Sequence, residues 1–189
     1  ISTQPGEGKT ITSTSLAISY AQSGKKTLHV DFDLRRPKVA GIWGVELTKA
    51  RSFSHVLQSS ISTEVDFSSI INKTEIENFD VVASLSPDGV TPAQIFGSGA
   101  IAQFFEWARA NYDRIIVDAP PYGVVGDVVT LSMLVDSTII MCCPDRTHFK
   151  PIQHCTRNLT EAGANILGVV VNDVEIAQAS AFSVSHHSA

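Results

Sequence analysis

Residues 3–10, near the start of the chain, read TQPGEGKT and carry the strongest functional signal in the sequence. Gly6 and Gly8 give the backbone the freedom to turn several N–H groups inward, and Lys9 and Thr10 follow where a helix begins. In such a loop the lysine contacts the outer phosphates of a nucleotide and the hydroxyl is a magnesium ligand. The strict pattern begins with glycine, whereas this stretch begins with threonine, so a glycine turn before a helix is the alternative.

Two predicted strands end in carboxylates. Apolar residues at 27–30 lead into Asp31 and Asp33, and a second apolar run at 114–117 leads into Asp118. Open α/β sheets bind ligands at the carboxyl ends of their strands, and carboxylates two residues apart leave a strand on the same face. A buried acid is costly unless it is paired or bound to a metal, so these aspartates are candidates for a magnesium site. The alternative interpretation of Asp31 and Asp33 is that they form an acidic turn, which is followed by basic side chains that face solvent.

Predicted strands and helices alternate along the chain, which is typical of parallel β-α-β units with helices on both faces of the sheet. The strands are apolar almost throughout, as expected for a sheet buried on both sides. We therefore expect an α/β fold of three layers, the P-loop NTPase fold, with a mostly parallel sheet. The predicted helices cover the stretch after the loop up to Gly24 and residues 53–58, 100–110, 125–135 and 151–162, and the predicted strands cover 27–30, 80–83, 114–117, 137–142 and 166–171.

Length and composition favour one domain. The chain has 189 residues, of which 43% are hydrophobic and 17% charged, and this suits one globular core of ordinary size. We place the domain at residues 1–176 and a flexible C-terminal tail at 177–189, where the sequence is small and polar. A phosphate loop needs a preceding strand, and the chain opens at Ile1 almost inside its motif. We therefore expect the N-terminal strand to be truncated.

Charge, hydropathy and cysteine spacing exclude several classes of function. The formal net charge is −5 and no basic stripe stands out, which argues against a nucleic-acid partner. No apolar run approaches the roughly 18 residues of a membrane-spanning helix, and no signal peptide is evident. Cys142, Cys143 and Cys155 show no CxxC spacing, so we expect buried thiols in a reducing compartment rather than zinc ligands or disulfides.

Taken together, the motifs resemble the cytoplasmic domain of the bacterial tyrosine kinases, the BY-kinase family that accompanies capsule and exopolysaccharide export. The family's Walker A pattern, S-x-x-P-G-E-G-K-[ST], is matched at 2–10. Its Walker A′ pattern, which contains V-D-x-D-x-R-[KR]-P, is matched at 28–37. Its Walker B pattern, Y-D followed by apolar residues and D-x-P-P, is matched at 112–121, and its closing G-V-V-x-N strand at 168–172.

This resemblance implies an ATP- and magnesium-dependent protein-tyrosine kinase, an autokinase that works mainly by positioning and charge neutralisation. Asp31 would lie next to the transferred phosphate as the candidate acceptor of the tyrosine proton. Asn172 would bind the adenine ring, and a turn residue at a strand end is the alternative. The implied catalytic residues are Lys9, Asp31, Asp33 and Asp118; the implied ATP or ADP contacts are Gly6, Glu7, Gly8, Lys9, Thr10, Ile11 and Asn172; the implied magnesium ligands are Thr10, Asp31, Asp33 and Asp118.

The resemblance also implies partners and a location. BY-kinases act with a transmembrane activator, a polysaccharide co-polymerase that is either fused or separate, and full-length members form homo-oligomers. We therefore expect a cytoplasmic domain held at the inner face of the bacterial membrane, where it regulates exopolysaccharide or capsule synthesis and export. The tyrosine-rich C-terminal cluster of the family has no match here, since Tyr20, Tyr112 and Tyr122 all precede Asn172.

Two other functions stay open from the sequence. A deviant-Walker ATPase of the partition or division-site type would share the fold, but those proteins carry a signature lysine where this chain has Gln4. A domain that binds ATP as an assembly switch for a membrane polysaccharide co-polymerase would keep the nucleotide residues without transferring phosphate. The residues PGEG at 5–8 and the run DLRRP at 33–37 favour the kinase.

Overall fold

The computed structural model describes most of the chain up to Val174. The predicted tail at 177–189 lies outside the described residues. The part of the chain that the structure describes consists of residues 1–59, 66–89, 91–97, 99–123, 125–144 and 146–174.

Helices and strands alternate over most of the described chain, as the sequence predicts. The helices are α1 (Lys9–Gln22), α2 (Val39–Trp43), α3 (Phe53–Ser59), α4 (Pro92–Phe96), α5 (Ala100–Asn111), α6 (Val125–Leu134) and α7 (Phe149–Glu161). The strands are β1 (Thr27–Asp31), β2 (Asn72–Lys73), β3 (Phe79–Val82), β4 (Arg114–Asp118), β5 (Thr138–Cys142) and β6 (Ile166–Val171). The short elements α2, β2 and α4 are those that the sequence analysis did not predict, because each has too few residues to show a periodicity.

The sheet is mostly parallel, which confirms the predicted fold class. The order β2-β3-β1-β4 forms a four-stranded sheet, and β5 and β6 form a two-stranded one. Only the β2–β3 pair is antiparallel among the strand pairs of the described residues. In the register of β1 with β4, Asp31 lies opposite Asp118, so the two predicted acidic strand ends meet at one edge.

Buried side chains cover both faces of the four-stranded sheet and make three layers. On one face Phe32, just after β1, stacks on Phe105 of α5 with 5.4 Å between ring centroids, and meets Phe53 edge-on at 4.9 Å. On the other face Ala17 of α1 packs with Val81 of β3. Fully burying an aromatic or aliphatic side chain contributes about 1.5–3 kcal/mol. Phe32 therefore anchors the segment on which both Asp31 and Asp33 lie.

A cleft separates β4 from β5. It has a volume of about 660 Å³, and its lining includes β4, β5, Leu16 of α1 and Leu131 of α6. At one end of the cleft the chain enters beside β5, where Met141 donates a backbone hydrogen bond to the Ile1 carbonyl at 2.7 Å and Ser2 pairs with Met141 in parallel. Strand β4 lies across the cleft and pairs with β1 along its opposite edge.

Burial departs from the sequence prediction in two strands. The expectation of strands buried on both sides is wrong for β4, in which Arg114 is exposed and the next three residues are half-buried. It is also wrong for β6, in which Leu167 is 70% exposed and Val169 50% exposed. Strand β4 borders the cleft, and β6 lies at the far end of its two-stranded sheet, so each lacks a covering neighbour among the described residues.

The three cysteines behave as the sequence predicts. Cys142, Cys143 and Cys155 are all buried as thiols. Cys155 lies in the packing between α7 and the rest of the chain, beside Leu159. Burial raises the pKa of the Cys155 thiol to about 11, which keeps the thiol protonated near neutral pH. These side chains therefore serve as small apolar packing groups.

His29 is a buried histidine at the centre of the sheet. It is fully buried on β1, and its Nε2 atom lies 3.0 Å from the Ser13 hydroxyl of α1. Its Nδ1 atom is buried and has no hydrogen-bond partner among the described residues. Burial therefore lowers the pKa of His29 to about 4.

We predict that His29 makes the domain acid-sensitive. The unfolded chain takes up a proton on this side chain below about pH 6.5, and the folded chain only below about pH 4, so protonation favours unfolding between these values. Between pH 6.5 and pH 4 the free energy of unfolding of the parent should consequently fall. This fall should be about 3 kcal/mol larger in the parent than in His29→Gln. Urea unfolding at a series of pH values measures this difference. Exposed His154 is the control: His154→Gln should keep the parental slope, and an unchanged slope in His29→Gln would exclude the prediction.

Candidate nucleotide-binding site

The phosphate loop has the backbone shape that its glycines allow. Gly6 and Gly8 both adopt left-handed conformations, with φ of 85° and 90°. Helix α1 begins at Lys9 directly after Gly8, so its free N–H groups and the positive end of its dipole face the loop. This is the arrangement that binds phosphate groups.

The Glu7 side chain lies beneath this loop rather than toward solvent. It is fully buried, and its Oε2 atom accepts hydrogen bonds from the backbone N–H groups of Thr3 at 2.9 Å and Gln4 at 3.0 Å. The carboxylate thus closes the loop onto itself, as an acidic side chain does in other tight turns. A nucleotide contact by Glu7 would therefore come from its backbone.

Lys9 points back along the loop in this structure. Its ammonium group donates a hydrogen bond to the Ser2 hydroxyl at 2.8 Å. Burial lowers the pKa of Lys9, while the nearby carboxylates of Asp118 and Asp33 act in the opposite direction. The lysine therefore lies within electrostatic reach of both acidic strand ends.

Asp118 is the clearest candidate cation ligand. It is nearly fully buried at the end of β4, close to the Thr10 hydroxyl and to Lys9. Burial raises the pKa of Asp118, whereas Thr10 and Lys9 act to lower it and Asp33 adds a further rise. Its Oδ1 atom is buried without a hydrogen-bond partner among the described residues, which leaves an acceptor available.

These groups suit magnesium better than a metal held by protein alone. Among the described residues, no group of three or more His, Cys, Asp or Glu side chains forms a ready metal site. Magnesium takes only one or two carboxylates and completes its shell with water and the phosphates of a nucleotide. Thr10, Asp33 and Asp118 would hold the ion in that manner, and it would neutralise charge on the phosphates.

Asp31 differs from its neighbours because its carboxylate already accepts three backbone hydrogen bonds. The residue is fully buried, Oδ1 accepts the N–H of Asp33 at 3.1 Å, and Oδ2 accepts the N–H groups of Lys38 and Val39, both at 2.9 Å. Burial raises its pKa to about 7 despite these bonds, and the nearby Asp118 adds to the rise. Asp31 thus holds together the loop that carries Asp33 and the start of α2.

The same loop is tied to α6 by an ion pair whose carboxylate is buried. Arg35 donates from Nε and Nη2 to Oδ2 of Asp127, at 3.3 and 3.1 Å. Asp127 lies in the first turn of α6 and its side chain is 4% exposed. Sequence reasoning interpreted the arginines either as part of the motif or as a solvated basic face; it did not identify Asp127, because the two residues are 92 positions apart.

Asn172, at the end of β6, reaches the phosphate loop. Its side-chain amide donates to the Glu7 carbonyl at 3.3 Å, and its backbone N–H donates to the Cys142 carbonyl at 2.8 Å. A Cβ atom on Gly8 would lie 2.1 Å from Nδ2 of Asn172. Ile11, the last predicted nucleotide contact, is 71% exposed on the first turn of α1.

The structure thus assembles the predicted residues around the start of α1. Lys9, Thr10, Asp33 and Asp118 influence one another directly, and Asn172 borders the loop from the β6 side. Two further residues support this region. Ser2, which the Walker A match includes without a role, receives the hydrogen bond of Lys9, and Thr147, which had no signal in the sequence, donates to the Glu7 carboxylate.

The chain is similar to known proteins over most of its length. The profile of the AAA domain family matches residues 1–166. Tyrosine-protein kinase CpsD of Streptococcus pneumoniae serotype 4 is 34% identical over 177 residues, which are 93% of this chain and 74% of that protein. The solved kinase domain of Escherichia coli tyrosine kinase ETK has a TM-score of 0.77 at 27% identity, covering 92% of this chain and 67% of that one.

A more distant structure shares the fold alone. The septum site-determining protein MinD of Pyrococcus horikoshii, solved with Mg-ADP, has a TM-score of 0.72 at 21% identity and covers 90% of this chain and 67% of that one.

The fold and the phosphate loop define a P-loop nucleotide-binding domain. Within that class, the chain belongs to the bacterial tyrosine kinase family, together with the CpsD and ETK proteins compared above.

We predict that replacing Gly8 by alanine disrupts nucleotide binding. A left-handed φ costs a residue with a Cβ about 1–2 kcal/mol, and here the Cβ would also displace the Asn172 amide. ATP affinity should therefore fall by at least about tenfold. Gly24 at the end of the same helix is the control, because it has a φ of 80° and open space around its Cβ position. Calorimetric titration of Gly24→Ala should give the parental affinity; parental affinity in Gly8→Ala as well would contradict the prediction.

Proposed function

We propose that this chain is the catalytic domain of an ATP- and magnesium-dependent protein-tyrosine kinase. The observation that carries the proposal is the buried Asp118 carboxylate, which lies close to Thr10, Lys9 and Asp33 and whose Oδ1 atom has no hydrogen-bond partner among the described residues. Relatives named tyrosine-protein kinases support the reaction type. The transferred phosphate group would lie between the start of α1 and the loop after β1.

Each residue of the site has a role in this proposal. Lys9 exchanges the Ser2 hydroxyl for phosphate oxygens, and the N–H groups of the loop from Gly6 to Ile11 surround the phosphates. Thr10, Asp33 and Asp118 hold magnesium, with Asp31 behind them. Asn172 contacts the adenine ring.

Asp31 is the proposed acceptor of the tyrosine proton. A pKa of about 7 suits proton transfer near neutral pH, and Oδ1 accepts one hydrogen bond and so retains acceptor capacity. Complete burial means that the substrate hydroxyl must reach this atom through the space beside Asp33. The loop after β1 would therefore shift when substrate binds.

The setting follows from the family. We propose a cytoplasmic domain that acts at the inner face of the bacterial membrane with a transmembrane polysaccharide co-polymerase, forms homo-oligomers when full length, and regulates capsule or exopolysaccharide synthesis and export. Among the described residues no helix combines the length and apolarity that crossing a bilayer requires. In this proposal, which follows the family resemblance, a transmembrane segment of a partner or a fused one attaches the domain to the membrane.

One observation favours an ATP-binding switch as the second candidate. Among the three tyrosines, the Tyr112 hydroxyl donates to Asp80 at 2.8 Å, and Tyr122 is buried against α7. Tyr20 is half-buried beside the cleft. Few acceptor hydroxyls are thus accessible within the described residues, which suits a domain that binds ATP without labelling itself. The deviant-Walker ATPase is disfavoured because this chain has Gln4 at the position where those proteins have their signature lysine. The Gln4 side chain donates a hydrogen bond to the Arg146 carbonyl.

Incubation with γ-labelled ATP and magnesium distinguishes the three functions. We expect label on tyrosine, either in this chain or in an added tyrosine-rich peptide, and no label in Lys9→Met, because the variant lacks the phosphate-binding charge. Exposed Lys25 supplies the control, and Lys25→Met should transfer phosphate at the parental rate. Released phosphate without labelled tyrosine would indicate an ATPase, and binding without either product would indicate the switch.

We also propose that a further strand, joined to Ile1 and parallel to β5, fills the cleft and completes one continuous sheet. The Ile1–Met141 and Ser2–Met141 pairings set its direction, and apolar side chains of α1 and α6 approach from opposite sides. The strand should therefore be apolar on both faces. It would connect the two sheets into the three-layer domain expected from the sequence.

An engineered extension tests the cleft. Adding about five β-branched apolar residues before Ile1, the usual length of a strand, should raise the midpoint of thermal unfolding by about 5 °C or more. Hydrogen exchange at Ile115 and Val117 of β4 should slow, because their edge becomes paired. A Gly-Ser extension of equal length is the control. Equal exchange rates with the two extensions would argue against a strand in the cleft.

A further inference from the structure

The buried carboxylate of Glu7 has no cationic partner. Its negative charge is fully removed from solvent, and no lysine, arginine or histidine of the described residues lies within ion-pair distance of it. It is neutralised instead by donors, which are the N–H groups of Thr3 and Gln4 and the hydroxyls of Thr3 and Thr147. A carboxylate below a phosphate site repels the negatively charged phosphate. The position of Glu7 therefore needs a structural reason.

Thr147 supplies the connection between this carboxylate and the rest of the fold. The Thr147 hydroxyl donates to Oε1 of Glu7 and accepts the N–H of Cys143 at 2.8 Å. Because that N–H uses an acceptor site on the hydroxyl, the hydroxyl hydrogen is directed to Glu7. The backbone of Thr147 is itself fixed by a bond from its N–H to the Cys143 carbonyl at 2.8 Å.

The end of β5 and the phosphate loop are therefore joined at several points. The Gln4 side chain donates to the Arg146 carbonyl at 3.3 Å, and the Asn172 amide donates to the Glu7 carbonyl. Of these links, the one through Thr147 is the one that reaches the buried carboxylate, and the carboxylate binds both N–H groups at the start of the loop.

We infer that Thr147 is a positioning residue for the phosphate loop. The inference rests on the proposed nucleotide function: the Thr147 hydroxyl fixes the Glu7 carboxylate, which in turn holds the loop in the shape in which its N–H groups converge on the β-phosphate. Thr147 acts through Glu7 in this inference and not through a contact with the nucleotide. Its removal should accordingly weaken the contribution of the β-phosphate to binding more than that of the nucleoside.

The test compares ADP with AMP, because the two ligands differ by the β-phosphate. Calorimetric dissociation constants are measured with magnesium for the parent, Thr147→Ser and Thr147→Val. The parent should prefer ADP strongly, Thr147→Ser should keep that preference within about twofold, and Thr147→Val should reduce the AMP-to-ADP ratio of dissociation constants by about tenfold. Thr130→Val is the matched control, since the Thr130 hydroxyl donates to a carbonyl of its own helix, and it should keep the parental ratio.

A merely structural role predicts a different pattern. Thr147→Val would then unfold at a lower temperature, yet bind ADP and AMP in the parental ratio while folded, and that result would overturn the inference. If Thr147→Val does not fold, Glu7→Gln provides the second test, because it keeps the shape of the side chain and loses one acceptor oxygen. An unchanged ratio in a folded Glu7→Gln would equally reject the inference. Failure of the parent to bind either nucleotide would reject the proposed function, and the inference with it.

Discussion

The parallel pairing of β1 with β4 is the constraint on which the site depends. Its register places Asp31 opposite Asp118, and the N–H of Phe32 donates to the Asp118 carbonyl at 2.8 Å just beyond the strands. A shift by one residue would reverse the face of each side chain that follows. Phe32 would then leave the aromatic cluster and the aspartates would leave the edge that faces α1. Core packing and site geometry are thus fixed by the same hydrogen bonds.

Buried carboxylates organise the loops around this edge without relying on cations alone. The Asp31 carboxylate accepts hydrogen bonds from three backbone N–H groups, and the Glu7 carboxylate accepts them from two. In both cases the donors belong to the turn that follows or precedes the acid. Asp127 is the exception, because it is paired with Arg35. Backbone donors are fixed in place once the fold forms, so such anions are held at little cost in side-chain entropy.

The sequence predicted the fold through features that are local. The strands β1, β4, β5 and β6 and the longer helices have enough apolar residues to show their type, and their alternation predicts a parallel sheet. Short elements such as α2 and α4 did not show a pattern. The exposure of β6 was missed for another reason: composition tells that Leu167 and Val169 are apolar, but not whether a neighbour covers them.

The candidate site also combines features that the local sequence predicts with features that it does not. Lys9, Thr10 and the strand-end aspartates could be found because each follows a strand or a glycine turn, and their convergence follows from the topology. The different environments of these aspartates could not be found in this way. Asp31 accepts three backbone N–H groups, whereas the Oδ1 atom of Asp118 has no hydrogen-bond partner among the described residues, and this difference depends on the path of the chain around each residue. The contact of Thr147 with Glu7 depends on the chain path in the same way.

The unpartnered oxygen of Asp118 links ligand occupancy to the stability of the whole domain. A buried acceptor without a donor costs about 1–3 kcal/mol, and the folded chain bears that cost by itself. Any ligand that supplies a cation or a donor to this atom recovers it, and the unfolded chain gains nothing comparable. The melting temperature should therefore report the filling of the site.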